Sequence, residues 1–228
     1  ERPAQDRVEA ARALGRLRRM TLIYAVAFFL ANPFAMLVSG HGHALFEAVA
    51  AWLPGTLSIL GSLAFYAWLR WGRVSPTTAL NLGLGWMVLG CYGIAFAQYW
   101  NMVPWIAEQG AAAQHIGLSW VAVFVLCFTV VVPNTTRSSL LAALVGCSSV
   151  LVVLLGGEAY WQVDLELTPG MIVGGLVLPY VIVSAMAAYS AHVVFHLGRE
   201  VARARRAGNY ELQERLGVGG MGEVWLAQ

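Results

Sequence analysis

All fourteen basic residues of this chain are arginine, and they stand in clusters separated by long apolar runs. No other feature limits the fold as strongly. A guanidinium is costly in hydrocarbon, so an apolar run bounded by arginines reads as a segment that leaves water. Six runs approach the roughly 20 apolar residues that a bilayer-crossing helix needs. They cover residues 20–38, 45–69, 77–99, 118–133, 138–155 and 171–195. The expected fold class is therefore an all-α polytopic membrane protein with six transmembrane helices, its partner the lipid bilayer. Composition points the same way. The chain is 59% hydrophobic and 11% charged, where a soluble domain runs near 45–50% and about 25%. That argues against a wholly soluble domain, a disordered chain and a nucleic-acid-binding module.

Arginine placement also orients these runs. Arg2, Arg7, Arg12, Arg16, Arg18 and Arg19 precede the first, Arg70 and Arg73 follow the second, and Arg137 follows the fourth. Arg199, Arg203, Arg205, Arg206 and Arg215 follow the sixth. In a six-span reading all lie on one side, and the opposite loops carry Glu108, Glu158, Asp164 and Glu166. The positive-inside rule then puts both termini in the cytoplasm of a multi-pass plasma-membrane protein. The runs at 118–133 and 138–155 are the shortest, and a re-entrant hairpin is their alternative. Cys91, Cys127 and Cys147 are odd in number, far apart and set in apolar sequence, so they imply no disulfide framework and no zinc spacing.

The flanks divide the chain further. Residues 1–19 read as a basic helix beside the membrane, and 20–198 as the bundle. Residues 199–209 form a juxtamembrane linker that continues the last helix as a rod, to a stop at Gly208-Asn209. Residues 210–228 change character. Tyr210 to Leu216 alternates polar and apolar as a strand does. Then Gly217, Gly219, Gly222 and Val224 complete a G-x-G-x-x-G-x-V pattern. Glycines let a backbone fold tightly over phosphates and turn its N–H groups toward them. A dinucleotide-binding fold uses similar glycines but needs a helix directly afterwards. Here Glu223 to Leu226 is β-like, so the glycines join two strands.

The string Leu216-Gly217-Val218-Gly219-Gly220-Met221-Gly222-Glu223-Val224 resembles the glycine-rich loop that opens bacterial eukaryotic-like Ser/Thr protein kinases. The resemblance covers residues 210–228 only. It implies the first β-strands of a truncated kinase N-lobe, with Gly217, Gly219 and Gly222 around ATP phosphates and Leu216 and Val224 against the adenine. It also implies a bacterial inner-membrane receptor kinase that uses ATP and Mg2+ to phosphorylate Ser/Thr of substrate proteins. The chain has no Lys at all, and neither H-R-D nor D-F-G. It starts without Met and stops inside the motif, which reads as a piece of a longer protein. The piece holds no catalytic residue, so no phosphoryl transfer and no bound nucleotide are expected of it alone. The alternative is a non-enzymatic membrane binding or transport module with a kinase-like tail.

Polar residues within the apolar part are the remaining candidates. His192 and His196 are four apart on one helical face, a spacing that suits a metal or haem. His41 and His43, with Glu47 nearby, and His115 would line outer loops. Ordinary interfacial and loop histidines are the better reading of all five. Asn81, Ser148 and Ser149 are expected to hydrogen-bond between helices. Gly170 and Gly174 form a G-x-x-x-G, expected to serve internal packing, with a homodimer contact as the alternative. Transport is disfavoured, because no Asp, Lys or Arg falls within a run and no inverted repeat is visible.

Overall fold

The computed structural model describes residues 2–34, 38, 49–72, 74–108, 119–208, 212–219 and 222–227. Helices occupy nearly all of them. They are α1 (Arg2–Phe29), α2 (Val49–Trp71), α3 (Pro76–Tyr99), the short α4 (Val103–Glu108), α5 (Trp120–Val131), α6 (Thr136–Trp161) and α7 (Leu178–Gly208). A π-helical turn, Leu30–Phe34, follows α1 and contains Pro33. Another, Ile172–Val177, leads from the helical turn Pro169–Met171 into α7.

Local chemistry sets several helix ends. Ser75 caps α3 by accepting a hydrogen bond from the Thr78 amide at 3.2 Å, with Pro76 in the first turn. Ser119 caps α5, Thr135 caps α6 and Thr168 caps Pro169–Met171 in the same way. Gln162 ends α6 in the left-handed conformation, at φ 53°. The basic segment and the first apolar run are not two elements. They are one helix whose buried stripe, Ala13, Leu17, Met20, Tyr24 and Phe28, repeats every three or four residues.

Contacts give the helix directions. Leu17 faces Gly83 and Tyr24 faces Gly90, so α1 and α3 run parallel. Ser62 donates to the Thr21 carbonyl at 2.8 Å and the Arg18 guanidinium to the Leu69 carbonyl, so α1 and α2 run antiparallel. Cys91 meets Gly146, and Trp100 meets Gly156, so α3 and α6 are parallel. Gln98 meets Ser119 and Gly90 meets Phe124, so α5 runs against α3. α7 packs on α6 and α5. Helix α3 is the hub, touching α1, α2, α5 and α6. One end of the bundle receives the start of α6 at Arg137 and the end of α2 at Arg70. Glu108, Glu158, Asp164 and Glu166 gather at the other end.

The six-span expectation is corrected. Among the described residues, three helices are long and apolar enough to cross a membrane: Thr77–Tyr99, Thr136–Trp161 and Pro169–Gly198. The physical reasons differ among the other three. α1 spends its first half on a basic sequence. α2 is interrupted by Pro54, Gly55, Ser58, Gly61 and Ser62 and carries Arg70 in its last turn. α5 has 12 residues, about 18 Å of helix against the roughly 30 Å of a hydrocarbon core. The assignment of both termini to the cytoplasm rested on six crossings and loses that support. The expected kinase N-lobe strands are also corrected. No lobe is present among the described residues, only a two-stranded hairpin, Leu212–Gly219 with Gly222–Ala227.

Candidate functional site

α7 runs without interruption from the apolar Leu178 to Gly208, through the sequence that holds Arg199, Arg203, Arg205 and Arg206. The two strands, β1 (Leu212–Gly219) and β2 (Gly222–Ala227), follow it. They pair antiparallel, with Gly219 opposite Gly222, Val218 opposite Glu223 and Gly217 opposite Val224. The register shifts between Leu212 and Glu214 and again between Arg215 and Gly217. Two glycines thus face each other where the ribbon closes, and a strand, not a helix, comes after Gly222. That local geometry does not match a dinucleotide fingerprint. Gly217 is exposed, and a Cβ there would meet nothing within 4 Å. Gly220 and Met221 lie outside the described residues, and nothing of the side chains of Leu216, Val218, Glu223 or Val224 is described.

His192 and His196 lie with ring centroids 4.2 Å apart and ring planes tilted by 48°, both exposed on α7. No group of three or more His, Cys, Asp or Glu lies together among the described residues. His41, His43, Glu47 and His115 are outside the described residues. The structure thus pairs the α7 histidines and supplies no third ligand to them there.

Other polar groups act differently from expectation. Ser148 donates to the Val145 carbonyl of its own helix at 2.8 Å, Asn81 is exposed, and Ser149 is buried without a partner. Besides the bond from Arg18 to the Leu69 carbonyl, several hydrogen bonds between helices come from residues that the sequence did not single out. Tyr24 donates to the Gly90 carbonyl at 2.9 Å. The Ser119 amide donates to the Tyr180 hydroxyl at 3.1 Å, and the Ser119 hydroxyl donates to Gln98 Oε1 at 2.7 Å. Trp161 donates its indole N–H to the Trp100 carbonyl at 3.0 Å. At the acidic end, Glu158 Oε1 accepts the Leu165 amide at 3.2 Å. That carboxylate holds the loop between α6 and α7.

Glycines divide in the same unforeseen way. Gly170, Gly174 and Gly175 are exposed, and a Cβ on any of them would meet nothing within 4 Å. The G-x-x-x-G therefore does no internal packing. It borders a shallow hollow of about 320 Å³ with Leu167, Thr168 and Met171. The close-approach glycines are Gly83, Gly90, Gly93, Gly146 and Gly157.

One further site was not legible beforehand. A groove of about 440 Å³ opens among α1, α2 and α3, with Tyr24 and Ser58 among its lining and Leu57 and Leu89 on its rim. Its only sequence signal is the run of small and hydroxylic residues in α2, which read as span interior. No protein-family model, no curated protein and no solved structure matches this chain.

Proposed function

We propose that this chain is the membrane region of a receptor-type bacterial Ser/Thr protein kinase, ending in the glycine-rich lid of its nucleotide site. The observation that supports this most is physical continuity. One helix leads from the apolar bundle into an arginine-rich stretch, and a glycine-closed hairpin comes next in the sequence. A stiff helix of this kind passes a tilt or rotation made among the packed helices to whatever its end carries. The arginine-bearing end would face the cytoplasm, where ATP is available.

In this reading the backbone N–H groups around Gly217, Gly219 and Gly222 hold ATP phosphates. ATP supplies the γ-phosphoryl group that a Ser or Thr hydroxyl of a substrate protein receives. Within this chain the residues bind and orient; no group here removes the hydroxyl proton, and Mg2+ has no ligand assigned in the chain. Those tasks belong to sequence beyond the lid.

The test is expression from the complete reading frame. A Lys within about 15–25 residues after Val224, then H-R-D and D-F-G, should follow. Purified protein should transfer labelled phosphate from ATP to Ser or Thr, and Gly219→Val with Gly222→Val should reduce that transfer at least tenfold. A frame without these motifs, and no transfer, would leave the membrane-module reading, for which the groove among α1, α2 and α3 speaks.

A further inference from the structure

The groove has a character that packing alone does not require. Two oxygen atoms, Tyr24 Oη and Ser58 Oγ, converge on the same bare glycine. A Cβ placed on Gly93 would lie 3.1 Å from the tyrosine oxygen and would collide with the serine oxygen. Both hydroxyl hydrogens are already committed. Tyr24 donates to the Gly90 carbonyl at 2.9 Å and Ser58 to the Pro54 carbonyl at 2.8 Å. What these groups retain for a ligand is lone pairs, so the floor is an acceptor floor.

Among the described residues, no charged side chain lines the groove. Its rim is apolar, with Leu57 58% and Leu89 73% exposed. Gly61 opens one wall, with nothing within 4 Å of a Cβ placed there. Gly93 lies six residues before the end of α3, about 9 Å of helix from the acidic end. This α3 is itself long and apolar enough to cross a membrane. With α3 spanning a bilayer, that depth lies in hydrocarbon, below the headgroups. A bilayer phospholipid brings ester oxygens and acyl chain to that depth, and no hydrogen-bond donor. A donor buried there without an acceptor is costly, and these two oxygens relieve that cost. The volume falls within the about 300–1,000 Å³ of small-molecule sites.

We propose that this groove binds a neutral lipid alcohol, with its hydroxyl donating to Tyr24 and Ser58 and its hydrocarbon body lying along Leu57 and Leu89. The occupant is a resident of the bilayer and enters sideways between α2 and α3. The site is independent of the kinase reading, because its binding needs no nucleotide.

The test uses the 228-residue chain in phosphatidylcholine nanodiscs, with a diazirine-bearing hexadecanol as probe. Irradiation should label peptides of α2 and α3 around Leu57 and Leu89, and excess hexadecanol should remove at least nine-tenths of the label. The methyl ether of the probe, which has no donor, should label at least tenfold less. Gly61→Leu fills the groove where space is open and should abolish labelling while the thermal midpoint stays near that of the parent. Ser58→Ala removes one acceptor and should weaken labelling about threefold to tenfold; it decides the matter if Gly61→Leu does not fold. Label that hexadecanol does not compete, equal labelling by the ether, or parental labelling of a folded variant would each overturn the assignment.

Discussion

Helix α3 faces two neighbourhoods built with the same small residues, and they end differently. Toward α6 its Cys91 enters the space left by Gly146: a Cβ on that glycine would lie 2.9 Å from the sulfur. Val125 and Phe128, both fully buried, close the adjoining contact with α5. Toward α1 and α2 it presents Gly90 and Gly93, yet the helices there leave a groove open to the side. Hydrocarbon gives helices no hydrophobic reason to associate, so close packing and hydrogen bonds decide where they touch. On the α6 side a neighbouring side chain fills the glycine notch. On the α2 side Ser58 and Tyr24 fill the notch at Gly93, but nothing lies within 4 Å of a Cβ on Gly61, and the groove stays open there. Glycine content thus marks where helices are able to approach, and the partner residue decides whether they do.

The sharpest challenge to this contrast is Phe128→Ala. The ring is fully buried, with its centroid 6.1 Å from that of Trp86. Its removal should destabilise the bundle by about 3 kcal/mol, read as a lower midpoint in reversible detergent unfolding. A loss below about 1 kcal/mol would show that the α5 side is not closely packed. Gly146→Leu comes next. It forces side-chain atoms into the place of Cys91, and about 2 kcal/mol should be lost. Gly61→Leu on the open side should change stability by less than about 0.5 kcal/mol. If those two glycine variants lose the same amount, the two faces of α3 are alike and the contrast fails.

Hydrogen bonds between helices predict a smaller effect. Tyr24→Phe removes the bond to the Gly90 carbonyl and should cost about 0.6 kcal/mol, the usual size for such bonds inside membranes. A cost several times larger would make Tyr24 a main tie between α1 and α3 rather than part of a groove floor. The smallest effect belongs to Gly174→Leu, with nothing near its Cβ position. Folding stability should hold within about 0.5 kcal/mol. Crosslinking in nanodiscs sharpens the point: an unchanged monomer–dimer ratio would leave this glycine pair without a packing role of either kind.

Apolarity was legible in residue order because it is a local property. Residues 77–99, 138–155 and 171–195 read as spans, and among the described residues Thr77–Tyr99, Thr136–Trp161 and Pro169–Gly198 are the helices long and apolar enough to cross. Run length misled where a helix is made of unlike halves, as in α1, or is cut by proline and hydroxyls, as in α2. The chain reversal between Gly219 and Gly222 was legible as well, since a tight turn depends on adjacent residues. Which glycines touch a neighbour was not. Gly170 and Gly174 carry the familiar spacing and meet nothing, whereas Gly93 and Gly146 meet side chains 35 and 55 positions away. Hydroxyl partners were hidden for the same reason, because Tyr24 and Ser119 bond to groups 66 and 21 residues distant. Residue order alone thus determined which segments avoid water and where the chain is able to turn. Only the packed bundle decided which helix meets which, because contact between rigid helices depends on the shape of both surfaces, and either sequence segment describes one of them.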